Sequence, residues 1–189
     1  MVEWTHVDAQ GRARMVDVGA KESTARQAVA RGCVYMQPAT LQAIVAQQVA
    51  KGDVLQVARI AGIMAAKQTS SLIPMCHPLE ITSVEVDLTP DPEASRVCIE
   101  ARVRNMGRTG VEMEALTAVA VAGLTVYDMC KSLDRGMRLS EVELLHKSGG
   151  KSGVYAHRDY AAPPEGQETQ QVLPVSPHLP SGRGPGRKE

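Results

Sequence analysis

Polar and apolar residues settle into alternation along Ile81-Thr82-Ser83-Val84-Glu85-Val86-Asp87-Leu88 and alternate again along Val97-Cys98-Ile99-Glu100-Ala101-Arg102-Val103-Arg104, with Pro90 and Pro92 in the turn between them. A period of two with a proline-bearing turn predicts a β-hairpin buried on one face. Residues 25–35 are also strand-like, bounded by Ser23-Thr24 and Pro38, and residues 14–17 carry strand-compatible side chains. The period then changes. After Pro38-Ala39-Thr40, residues 41–50 place apolar side chains at helical spacing and end at Lys51-Gly52, a glycine stop. Asp53 is positioned to cap a second helix through about residue 67, so the two form a bent helical crossover. Thr109-Gly110-Val111-Glu112 has capping-box spacing and opens an Ala/Val-rich helix to about residue 133, apolar all round in its middle and therefore buried. Residues 138–145 supply a last strand. The resulting order is βαββαβ: an α+β, ferredoxin-like subunit with an antiparallel sheet and its helices on one face.

Length and composition narrow the setting. A chain of 189 residues suffices for one domain with a sizeable core. Composition changes near Tyr155, and residues 156–189 hold six of the eleven prolines with no sustained apolar pattern. The reading is a catalytic domain over residues 1–155 and a flexible Pro/Gly-rich tail over 156–189. Twenty-one basic residues balance twenty-one acidic ones, so no global field draws the chain to nucleic acid or a membrane, and any cationic site must be local. No signal-like start and no run of about 18 apolar residues appears, which gives a cytoplasmic expectation. Cys33, Cys76, Cys98 and Cys130 show no close pairing and are read as reduced thiols.

The chemistry-bearing residues are unevenly placed. His77 sits between Cys76 and Pro78 in a loop before the hairpin, a position suited to proton transfer or phosphate binding, or to packing alone. Cys76 beside it invites a thiolate nucleophile or metal ligand, but no second ligand pair is spaced for zinc. Lys51 reads either as a helix-terminal cation or as a functional amine. Glu112 and Glu114 open the last long helix and Asp128 and Lys131 close it, with almost no charge between. Charged groups at the ends of a buried apolar rod are costly unless paired or used. Glu114 and Asp128 lie fourteen residues apart, on one face but separated by about 21 Å on a straight helix, so they cannot meet at one small substrate. Two such helices packed antiparallel about a two-fold axis would bring the Glu end of one to the Asp/Lys end of the other. Glu112 and Glu114, about 200° apart, would point to different sides. The run Lys147-Ser148-Gly149-Gly150-Lys151-Ser152-Gly153 is no Walker A sequence, yet glycines between lysines suit a phosphate chain, or simply a polar exit from the strand. Together these residues describe an enzyme acting on a small polyanion, with Lys51, His77, Glu112, Glu114, Asp128 and Lys131 as its reactive set.

Five ordered motifs then carry a resemblance. They are Lys51-Gly52-Asp53, Ala65-Ala66-Lys67 leading into residues 72–79, Gly110-Val111-Glu112-Met113-Glu114-Ala115-Leu116, Tyr127-Asp128-Met129-Cys130-Lys131, and residues 147–153. With them the chain resembles the cyclic pyranopterin monophosphate synthase family, also called molybdenum cofactor biosynthesis protein C, over about residues 5–155. The resemblance implies a lyase that converts 8,3′-cyclised 7,8-dihydroguanosine triphosphate to cyclic pyranopterin monophosphate with release of diphosphate. It implies a catalytic role for Asp128, while the proton transfers such chemistry needs make Lys51 and Lys131 the acid/base candidates, with Asp128 orienting Lys131. Substrate contacts are implied from Met75, Cys76, His77, Met113 and Glu114; Glu112 is a further substrate-binding candidate, and Arg26, Lys67, Lys147 and Lys151 are candidates for the triphosphate. It further implies a hexamer of dimers with sites between protomers, no resident metal or cofactor, and at most a divalent ion accompanying the triphosphate. Met75 stands where the family usually has leucine, and Gln68 where it usually has a basic residue. A lysine crowded by cations or desolvated has its pKa drawn toward neutrality, which is the expectation here for Lys51 and Lys131 as acid/base groups. Two other functions fit a βαββαβ frame. A small-molecule sensor would need a pocket without the acid/base set, and an RNA binder would need stacking aromatics on its strands, whereas the chain has no phenylalanine.

Overall fold

The computed structural model describes residues 10–160. Its elements are β1 (Thr24–Tyr35), α1 (Pro38–Val45), α2 (Val54–Lys67), α3 (Thr69–Leu72), β2 (Ile81–Asp91), β3 (Arg96–Gly107), α4 (Glu112–Cys130), β4 (Arg138–Ser148) and β5 (Tyr155–Ala156). All pairings are antiparallel and the sheet runs β2-β3-β1-β4-β5. Without the short β5 this is the ferredoxin-like arrangement the βαββαβ order predicts.

Alternation decides which residues face the helices. Ala28, Ala30 and Val34 of β1 and Val97, Ile99, Ala101 and Val103 of β3 form the inner face, packed against α4, while α2 lies over β2 and alongside α4. Gly32 belongs to the same row, and a side chain there would press on Val119 of α4. At Gly62 of α2, an added Cβ would lie 3.0 Å from the Ala118 carbonyl oxygen of α4. These two glycines let helix meet sheet and helix meet helix at backbone distance. Helix α4 is long and apolar enough to cross a bilayer, but ten of its residues are buried against α2 and the sheet. The N-terminal side of α2 meets the C-terminal end of α4 and Gly62 meets Ala118 and Ala122, so the two helices run antiparallel.

Several boundaries differ from those the sequence predicts. Helix α1 stops at Val45, one turn early, because Gln47 takes a left-handed conformation (φ 54°). Lys51 therefore stands in the α1–α2 connection and is not a helix-terminal cation. Asp53 does cap α2, accepting from the Gln56 N–H at 3.1 Å. The capping box at Thr109 does not form: α4 begins at Glu112 with Val111 as N-cap and no side-chain cap, since the Glu112 carboxylate turns instead toward Lys147. Residues 14–17 form no strand; the Val16 carbonyl lies instead against the His77 ring. At the other end, residues 156–160, expected to begin the tail, lie on the sheet. His157 N–H donates to the Leu145 carbonyl (2.7 Å), Arg31 pairs with Asp159 (3.1 Å) and Tyr160 stacks on His146. These bonds cover the free edge of β4. The rest of the expected tail, residues 161–189, lies outside the described residues.

Candidate active site

Two groups of candidate side chains occupy opposite ends of α4. At its C-terminal end, Lys51 Nζ donates to the Asp128 main-chain carbonyl (2.8 Å) and to Oδ2 (2.9 Å), while Lys131 Nζ holds Oδ1 at 2.7 Å. Asp128 is thus a carboxylate bridging two ammonium groups. Hydrogen bonds from Lys131 and then Lys51 hold it down at about 2. Lys131 is raised above the ordinary lysine value by the same bond. This corrects the expectation of a Lys131 pKa drawn toward neutrality: the group is solvent-exposed and faces a carboxylate, so both influences favour its charged form. In the free subunit Lys131 is therefore held in its charged form.

At the N-terminal end of α4, Met75, Cys76, His77, Met113 and Glu114 line a cavity of ≈ 330 Å³. His77 Nε2 lies 2.8 Å from the Val16 carbonyl oxygen. A carbonyl only accepts, so Nε2 carries the proton and Nδ1 is left for another partner. Burial, and secondarily Glu114, push the Cys76 thiol up, which argues against a thiolate nucleophile at this position. Glu114 is 3% exposed, and desolvation raises it to about 7. A carboxyl so placed exchanges a proton near neutrality, the property needed for acid/base work.

The burial of Glu114 has a measurable sign. Its folded-state pKa lies above the ordinary 4.5, so between pH 4.5 and about 7 the folded chain binds more protons than the unfolded one, and stability falls as pH rises through that window. Glu114→Gln removes the titration. Relative to the parent, the variant should gain stability across that interval by up to about 3 kcal/mol, read as a melting-temperature difference present above pH 7 and absent below pH 4.5. A difference independent of pH would show that Glu114 does not titrate in this way.

A second, larger cleft of ≈ 810 Å³ adjoins the first, sharing Lys21, Thr109, Gly110 and Glu112 as walls. Five cations line it: Lys21, Arg26, Arg108, Lys147 and Lys151. Their availability differs. Arg26 is committed to structure, with Nε donating to the Gly107 carbonyl (2.8 Å) and Nη2 to the Arg108 carbonyl (3.0 Å). Gly149 and Gly150, at φ 95° and 74°, bring the loop after β4 directly onto it. A Cβ at Gly149 would overlap the Ala25 carbonyl, and one at Gly150 would overlap the Arg26 guanidinium. Lys147 pairs with Glu112 (3.1 Å) and donates to Ser152 Oγ (3.1 Å). Glu112 thus lines both cavities and Glu114 only the smaller one, and neither serves as a helix cap. Lys67, the last residue of α2, is exposed and makes no hydrogen bond or ion pair among the described residues. Lys21 and Arg108 were not singled out from the sequence. Arg108 directly precedes the Thr109-Gly110 turn and could have been suspected, but nothing in the spacing around Lys21 marks it. Among the described residues no three His, Cys, Asp or Glu side chains converge as a metal-ligand set.

The MoaC family profile matches residues 15–150. The chain belongs to the MoaC family. The match covers every candidate residue except Lys151, which follows it directly. Among similar proteins, the cyclic pyranopterin monophosphate synthase of Pelotomaculum thermopropionicum is 60% identical over 166 residues, covering 88% of this chain and 98% of the relative. That of Rhodospirillum rubrum is 64% identical over 151 residues, covering 80% and 91%. That of Desulforapulum autotrophicum is 57% identical over 163 residues, covering 86% and 100%. The matched stretch, residues 15–150, contains β1 to β4 and the whole of α4.

Proposed function

We propose that this chain is a lyase of molybdenum cofactor biosynthesis, converting 8,3′-cyclised 7,8-dihydroguanosine triphosphate to cyclic pyranopterin monophosphate with release of diphosphate. The observation that carries this reading is near-end-to-end similarity, at 57–64% identity, to enzymes named for making that product. The geometry supplies a physical reason. Rearranging a purine to a pterin needs proton transfers at nitrogen and oxygen, and closing the cyclic phosphate needs charge stabilisation while diphosphate departs. The smaller cavity, walled by Met75, Met113 and Leu79 with Glu114 and His77 as polar groups, suits the heterocycle. The adjoining cationic cleft suits the triphosphate. Lys21, Arg108 and Lys151 are its most available cations, while Arg26 and Lys147 shape the walls.

In this reading the Lys51–Asp128–Lys131 cluster acts on substrate held by a neighbouring subunit, because about 21 Å of α4 separates it from Glu114 in its own chain. Val57, Ile60 and Met64 of α2 and Leu124 of α4 are exposed apolar side chains lying along the helices between the two ends. They offer the kind of surface across which an antiparallel partner would pack. Dimers assembled to a hexamer and a cytoplasmic setting complete the proposal. The reaction so drawn calls on no resident cofactor or metal, and a divalent ion would arrive with the triphosphate.

Incubating the purified chain with the cyclised nucleotide, and following pterin fluorescence and diphosphate together, tests the assignment. Both signals are expected to rise in equal molar amount. Nucleotide binding without diphosphate release at any pH would identify a sensor and overturn the assignment.

A further inference from the structure

The sheet face turned away from the helices carries two cysteines that strand register sets side by side. Cys33 of β1 and Cys98 of β3 are direct partners across the antiparallel pair, and their Sγ atoms stand 3.5 Å apart. Both line a separate cavity of ≈ 440 Å³ whose walls include Arg31, Arg96 and Glu141. Cys33 is 4% exposed, whereas Cys98 is partly open to solvent. Seven residues of extended strand, about 23 Å, separate Cys33 from Arg26 in the cationic cleft, so the pair stands outside the chemistry assigned above.

We propose that Cys33 and Cys98 form a cross-strand dithiol that closes reversibly to a disulfide by exchange with a low-molecular-weight disulfide such as oxidised glutathione. The more accessible Cys98 reacts first. Its thiolate attacks one glutathione sulfur, the glutathione S–S bond breaks, and the departing glutathione thiolate takes a proton from water. Cys33 then attacks the Cys98 sulfur of the mixed disulfide and expels the second glutathione. The Cys33 proton leaves with that second glutathione, which departs as its thiol. Two protein thiols are oxidised, one glutathione disulfide is reduced to two thiols, and no other reactant is needed.

Geometry and environment set this order. Directly opposed residues of antiparallel strands have Cα atoms about 4.5–5.5 Å apart, within the roughly 4.4–6.8 Å that disulfides span. Closing the 3.5 Å gap therefore takes side-chain rotation and no strand displacement. Burial, and then the hydrogen bond with Cys98, push the Cys33 thiol up to about 12, which leaves Cys98 as the thiol that meets an external disulfide first.

The test uses the full chain treated with excess oxidised glutathione, digested without reduction and mapped by mass spectrometry, with a parallel sample returned to dithiothreitol. A peptide pair joined through Cys33 and Cys98, lost on reduction, is the expected product, and Cys98→Ala should leave Cys33 unmodified. A stable glutathione adduct on Cys98 with Cys33 still a free thiol would overturn the proposal. So would the absence of modification at both.

Discussion

Lys51→Ala should lower the rate of diphosphate release by about 10²–10⁴-fold while leaving the folded structure unchanged by circular dichroism. Lys51 is half exposed and lies in a loop, so its loss removes little burial. It does remove two of the contacts that fix Asp128. Lys131→Ala should have a comparable effect for a different reason. Lys131 is charged in the free subunit and sits 2.7 Å from Asp128, so it is the group best placed to deliver a proton. Lys131→Arg separates charge from proton transfer, because a guanidinium keeps its proton throughout the working pH range. That variant should retain substrate affinity and lose turnover, seen as a fall in kcat with little change in KM. Either alanine variant turning over at near-normal rate would remove that residue from the mechanism.

The second large effect is recovery rather than loss. Glu114→Gln and Lys51→Ala, each inactive alone, should regain activity when the two chains are unfolded together and refolded as a mixture. If each site takes its Glu114 from one subunit and its Lys51 from a partner, mixed dimers contain one intact site and one doubly defective site. Random pairing then restores about a quarter of the wild-type sites. Mixing Lys51→Ala with Lys131→Ala should restore nothing, since both lesions fall in the same half. If the first mixture stays inactive although mixed oligomers form, the shared site is wrong and the two ends of α4 would have to act within one chain.

The fold was largely legible because its elements carry strong periodicity. The hairpin of β2 and β3, the buried α4 and the Asp53 cap all follow from local pattern. What escaped depends on contacts between distant residues. Gln47 ends α1 in a left-handed conformation that its side chain does not advertise. Thr109 and Glu112 have capping-box spacing, but Lys147, thirty-five residues downstream of Glu112, claims the carboxylate. The strap of residues 155–160 is too short and polar for a strand signal and is held by pairing with β4 and by Arg31. Cys33 and Cys98 meet only through register.

The candidate site was legible as a set of residue types and as two separated halves, since helix rise alone keeps Glu114 from Asp128. Its electrostatics were not. Whether Lys131 is pushed toward neutrality or away from it depends on the orientation of Asp128 and on exposure, and both act in the direction opposite to the one expected from chemistry alone. The roles of Arg26 and Lys147 likewise change once Gly149, Gly150 and Glu112 are seen against them: cations expected to await phosphate are tied into the cleft wall.

A helix that keeps its charged ends four turns apart also has a consequence for inheritance. Under the shared-site assignment, a cell carrying two defective copies of this gene, one altered near codon 114 and the other near codon 128, would still make working assemblies. Two copies damaged at the same end would not. One gene would then behave as two complementation groups that interleave along the sequence, since Lys51 falls with Asp128 and Lys131 although it precedes Glu114.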